Sequence, residues 1–95
     1  MSRNPLGVPE HAIREWLALH RALGTIDATP CAGADRNDWT GGAAAQERAA
    51  ARCLDCPVLA LCDDYALAAD ERVGVWGGRT ERERRAGTAR VRGQR

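Results

Sequence analysis

The stretch CLDCPVLALC, residues 53–62, places three of the chain's four cysteines within ten positions, and Cys31 lies alone upstream. Thiols in the pattern Cys31-x21-Cys53-x2-Cys56-x5-Cys62 could form a disulfide staple, a zinc site, a redox dithiol or the ligand set of an iron–sulfur cluster. Structural zinc usually sits between two short knuckles, each a Cys-x2-Cys or its His equivalent. Here one ligand is lone and distant, and the other three are spaced around helix ends. That layout suits a cube-shaped cluster, whose corner irons are spread wider than the ligand positions of one tetrahedral ion. Iron–sulfur clusters are held by four Cys thiolates, often with Pro after one of them, as Pro57 follows Cys56. A thioredoxin-like reading of Cys53 and Cys56 lacks the strand–helix context that such a dithiol needs. Spacing alone ranks a cluster first and zinc second, and leaves disulfide and redox chemistry open.

The elements that must position these thiols read as helices and turns. Residues 9–23 predict a first helix: Pro9 suits its first turn, Glu10 the positive end of its dipole, and Gly24 follows its last turn. Ile13, Trp16, Leu17 and His20 recur at helical spacing as one apolar stripe, so His20 reads as a partly buried core residue. Residues 24–42 read as loop, punctuated by Pro30, Gly33, Gly41 and Gly42, with Cys31 and Trp39 inside it. A tryptophan in so polar a loop marks either a core contact or a partner surface. Residues 43–56 favour helix by propensity, and Pro57 ends that helix and opens another through about residue 71. Val58, Leu61, Cys62, Tyr65 and Ala69 share one face of the latter. A glycine-dense turn, GVWGG (74–78), precedes a short helix whose TERE start offers Thr80 and Glu83 as a capping box.

Composition sets the demand for a staple. Of the 42 hydrophobic residues, 18 are alanine, four cysteine and one methionine, which leaves 19 Leu, Ile, Val, Trp and Tyr for a chain of 95. A core that thin needs a metal, disulfides or a partner to hold it. No apolar run approaches the roughly 20 residues that span a bilayer, and the N-terminus lacks a secretory layout. We therefore expect a cytoplasmic protein with reduced thiols and no membrane contact. The net charge of +1 hides a division: residues 1–78 carry 7 Arg against 11 acids, a net −4, and residues 79–95 carry 7 Arg against 2, a net +5.

CLDCPVLALCDDYAL followed by GVWGGRTERERR (74–85) resembles the WhiB-like family of actinobacterial and actinophage transcription regulators. The likeness covers about residues 28–86. It implies an all-α fold, a small bundle of about four short helices wrapped around one 4Fe–4S cluster per chain, with Cys31, Cys53, Cys56 and Cys62 as ligands. The iron–sulfur domain would span 1–87, with the cluster-binding part about 28–78, a short helix about 80–86, and a flexible Arg-rich tail over 88–95. The family's members are not enzymes; they dock on region 4 of the primary sigma factor in RNA polymerase. The resemblance therefore implies a partner surface of Trp76 with Gly74, Val75, Gly77, Gly78 and Trp39, in a monomer or a one-to-one complex with sigma. It also implies redox or nitric oxide sensing. Promoter DNA would meet Arg82, Arg84, Arg85, Arg90, Arg92 and Arg95. Two positions depart from the pattern: Thr40 stands where members carry a second aromatic, and RVRGQR lacks the Arg and Pro of the family's DNA hook. The competing readings are a protein disulfide reductase using Cys53 and Cys56 after cluster loss, and a structural zinc module.

Overall fold

The computed structural model describes residues 7–87. A 3-10 turn over Glu10–Ala12, with Pro9 as its N-cap, leads directly into helix α1, Ile13–Leu23. The expected helix of residues 9–23 is therefore present, but its apolar stripe is rotated. Ala12 and Leu19 are buried, with Ile13, Trp16 and Leu23 packed beside them, whereas Leu17 is 41% exposed. His20 is exposed too, and its ring stacks on Trp16 at 4.1 Å between centroids. Two stripes one residue apart are both apolar in this sequence, and docking against a neighbouring helix selects the one that holds Leu19.

The loop between residues 24 and 42 contains two further 3-10 turns, Pro30–Ala32 and Arg36–Thr40. Helix α2, Ala43–Cys53, packs on the second of these. Its fully buried Ala49 and Ala50 let the backbone of that turn approach closely, which is how a helix with almost no large apolar residues finds a partner. The helix stops at Cys53, three residues earlier than expected. An elbow follows, in which Cys56 N–H donates to the Cys53 carbonyl at 2.9 Å and Leu59 N–H to the Cys56 carbonyl at 3.2 Å. The elbow thus uses up carbonyls that a helix end would otherwise leave unpaired.

Helix α3, Leu59–Ala69, buries Tyr65 and Ala66 and lies against α1. Its predicted face holds: Leu61, Cys62 and Ala69 all pack on the first apolar cluster. Asp70 ends it in the left-handed region at φ 54, and Glu71 N–H reaches back to the Ala66 carbonyl, a hydrogen-bonded close usually made with glycine. Helix α4, Glu81–Ala86, begins at Thr80 with the full capping box: Glu83 N–H donates to the Thr80 hydroxyl and Thr80 N–H to the Glu83 carboxylate.

The described residues form this all-α arrangement with no strand, and an isolated bridge joins Trp76 and Arg79. Their apolar interior is split. One cluster gathers Val8, Ala12, Leu19, Val58 and Tyr65, and the other Trp39, Ala49, Ala50, Cys53 and Val75. Among the described residues, the only hydrophobic ones at 1% exposure or less are alanines: Ala12, Ala49, Ala50 and Ala66. Among the described residues no helix is long and apolar enough to cross a membrane.

Candidate metal centre

Each cysteine is placed by a different local device. Cys31 sits in the 3-10 turn Pro30–Ala32, Cys53 is the last residue of α2, Cys56 lies in the elbow and Cys62 is one turn into α3. All four line a single cavity of about 400 Å³. Its walls come from both apolar clusters: Leu19 and Val58 on one side, Trp39 and Val75 on the other. The four thiols are free; Cys53 is buried, Cys56 and Cys62 are half-buried and Cys31 is exposed. Among the described residues, no group of three or more His, Cys, Asp or Glu is set to hold a single metal ion. The cavity gathers four soft donors on one surface.

The electrostatics of this cavity fit a bound cationic group. Burial pushes the Cys62 thiol up to about 12, against an opposing hydrogen bond from Gly77 N–H. Burial also raises the Cys53 thiol, with hydrogen bonds from the Trp39 indole and Gly78 N–H opposing it. Buried thiolates are costly without a counter-charge, and bound metal supplies one. The same N–H groups are what an iron–sulfur site needs around its sulfurs. The donor set and its surroundings fit a 4Fe–4S cluster.

The glycine turn supplies those N–H groups because it is held against α3. Trp76 and Arg79 exchange backbone hydrogen bonds at 3.1 and 3.0 Å, closing a two-residue turn with Gly77 at φ 57 and Gly78 at φ 78. Positive φ at both central positions favours glycine. Gly77 is further constrained, since a Cβ there would lie 2.5 Å from Asp63 Cα. The turn is clamped at several points. Asp63 pairs with Arg79 at 3.2 Å. The Arg84 guanidinium donates to the carbonyls of Glu71, Gly74 and Arg79. Glu81 accepts from Gly74 N–H at 2.7 Å and from the Gln46 amide at 3.1 Å. Asp63, Gln46, Arg79 and Glu81 escape a reading of the sequence; only Asp63, an acid within the apolar run LALCDDYAL, gives any signal.

The residues expected to meet a partner fare differently. Trp76 is half-buried, its indole N–H donates to the Val73 carbonyl at 2.9 Å, and its ring lies 5.4 Å from Tyr65. Beside it Val73 is 67% exposed. Gly74, Val75, Gly77 and Gly78 are buried, so they support Trp76 rather than present a surface. Trp39 corrects the expectation of a surface aromatic: it is 6% exposed, and its indole N–H donates to Cys53 Sγ at 3.3 Å. The Asp35 and Asp38 carboxylates pair with Arg52, whose guanidinium lies 5.9 Å from the Trp39 ring centre; these contacts draw the polar loop over the tryptophan. His20 lines the same cavity although it was expected in the core. Of the arginines expected on DNA, Arg82 and Arg85 are exposed, and Arg85 reaches Glu81 at 3.6 Å. Arg84 corrects that expectation, because its guanidinium is engaged by protein carbonyls. Arg90, Arg92 and Arg95, with the tail over 88–95, lie outside the described residues.

A small all-helical protein that converges four cysteines on one cavity and clamps a G-V-W-G-G turn beside it defines a narrow class. The family model described as "Transcription factor WhiB" matches residues 26–86. The chain is 44% identical over 64 residues to the transcriptional regulator WhiB of Streptomyces coelicolor, covering 66% of this chain and 74% of that protein. It is 36% identical over 84 residues to the transcriptional regulator WhiB4 of Mycobacterium tuberculosis, covering 88% of this chain and 70% of the relative. A shorter stretch of 33 residues is 61% identical to WhiB2 of the same species, covering 35% of this chain and 37% of that protein. No solved structure matches the chain significantly. The chain belongs to the WhiB family of transcription regulators.

Proposed function

We propose that this regulator holds one 4Fe–4S cluster on Cys31, Cys53, Cys56 and Cys62, and docks through a surface centred on Trp76 onto region 4 of the primary sigma factor in RNA polymerase. The observation that carries the reading is the placement of four thiols on one cavity lined from two separate small apolar clusters. Bound there, the cluster supplies redox-active iron, open to oxidants or nitric oxide. The protein's own part is to hold the sulfurs, to exclude water with Leu19, Val58, Trp39 and Val75, and to direct N–H groups at the thiolates. The disulfide-reductase reading uses Cys53 and Cys56 and requires a thiol of lowered pKa, and burial raises Cys53.

Trp76 suits docking because its backbone is fixed by the glycine turn and its indole N–H is already paired. A rigid aromatic of this kind loses little freedom on binding. The head of the protein, residues 1–78, carries a net −4 before any cluster, and four thiolates on a 4Fe–4S core add about −2 more. That charge complements a basic, DNA-binding sigma domain, and Arg82, Arg85, Arg90, Arg92 and Arg95 would then lie near promoter DNA, in the cytoplasm. Trp76→Ala should keep the cluster's visible absorption and weaken binding to sigma region 4 by about 2–4 kcal/mol. Iron content and affinity measured on one mutant sample decide the matter: fully loaded protein that binds sigma like wild type contradicts the proposed surface.

A further inference from the structure

Trp39 is buried, and its indole N–H has been given a sulfur as its acceptor, Cys53 Sγ at 3.3 Å. A neutral thiol is a weak acceptor, so a donor that gives up water for one is poorly matched. A thiolate is a strong acceptor, and hydrogen bonds to charged groups are roughly twice as strong as neutral ones. The residue is also held from several sides. The Trp39 carbonyl accepts Val75 N–H at 2.8 Å, Gly74 lies against the same carbonyl, and Arg52 lies near the ring. Trp39 is therefore a fixed donor, aimed at a sulfur that gains charge when it becomes a metal ligand.

We propose that Trp39 is a positioning residue that acts through Cys53: its N–H donates to the metal-bound sulfur and raises the reduction potential of the site. This rests on the reading that the four cysteines hold an iron–sulfur cluster. A donor to a ligand sulfur withdraws negative charge and so favours the more negative, reduced state, because hydrogen bonds to the sulfurs are among the terms that set cluster potentials. The step concerned is one electron passing from a reduced viologen to the cluster; no bond forms or breaks and no proton is needed.

The test compares wild-type and Trp39→Phe proteins, purified without oxygen and equilibrated with a viologen couple at one fixed poise. Phenylalanine keeps an aromatic ring in the pocket and deletes the donor. At equal iron and sulfide content, the ratio of reduced to oxidised cluster, read by electron paramagnetic resonance, should fall about three- to tenfold in the variant, tenfold being about 59 mV for one electron. An unchanged ratio at full loading overturns the proposal. If Trp39→Phe does not load, a benzothienylalanine at position 39 puts a ring sulfur where the N–H was and preserves the shape. Its ratio is judged in the same way, and failure of this near-isostere to load overturns the proposal, since the N–H would then be needed to hold the group rather than to tune it. Wild-type protein free of iron and sulfide overturns the cluster reading itself, and this proposal with it, which separates the two failures.

Discussion

Glu81 and Arg84 reach the glycine turn from the same short helix, the first accepting from Gly74 N–H and the second donating to the Gly74 carbonyl. That pairing fixes one end of the segment whose other end supplies N–H groups to Cys53 and Cys62. The Gly74 N–H, chiefly, with Gln46, Arg85 and Arg84 helping, holds the Glu81 carboxyl below the usual range. A carboxyl with a depressed folded pKa stabilises the fold above its unfolded value and loses that contribution as pH falls through the folded one. Glu81→Gln should therefore be less stable than wild type at pH 7, with a gap that narrows as the pH drops below 4.5. Urea melts of loaded protein measure it, and a gap independent of pH would remove the ionised carboxylate from the account. Gly77 makes a separate demand. Alanine there must adopt φ 57 and place its Cβ 2.5 Å from Asp63 Cα, so Gly77→Ala should cost about 3 kcal/mol or more through strain and backbone displacement. A melt within about 0.5 kcal/mol of wild type would show that the turn is free to move away from α3.

At the scale of elements, the sequence was readable wherever a local rule governed. The capping box of Thr80 and Glu83, the break at Pro57 and the face of α3 all depend on neighbours within a few positions, and all are present in the fold. Thr80→Ala removes the cap and should destabilise the protein by about 1 kcal/mol, measured by the same urea melts; an unchanged midpoint would mean that tertiary contacts alone hold α4. What escaped the sequence depends on distant partners. The register of the α1 stripe was decided by docking on α3, since Ala12 and Leu19 are as apolar as the alternatives. Trp39 could be assigned to core or surface only once Ala49 and Ala50 gave it a flat helix to lie on. The clamp of Asp63, Arg79, Arg84 and Glu81 joins residues up to 16 positions apart, and nothing in a run of arginines tells which ones turn inward. From spacing the four cysteines were legible as a candidate ligand set, with a cluster ranked above zinc and disulfide and redox chemistry left open. That they share one cavity was not, because Cys31 is brought to the others by the packing of a loop without regular helix or strand.

For the whole molecule, the account makes the metal group part of the core. Two apolar clusters, in which only alanines are fully buried, meet around a cavity whose walls carry all four thiols. A domain of this size rarely stands on so little apolar burial without a staple, and binding free energy at such a site is also folding free energy. The same cavity brings the glycine turn and Trp76 to the thiols, so loss of the group and loss of the proposed sigma surface should be linked. The division of charge, −4 over residues 1–78 and +5 over 79–95, fits a protein whose head faces a basic partner and whose end faces nucleic acid. Everything in this arrangement turns on what the four cysteines hold. Iron, acid-labile sulfide and zinc should be quantified together on protein purified without oxygen. The account predicts about four iron and four sulfide per chain and no stoichiometric zinc; one zinc per chain with no sulfide would contradict it.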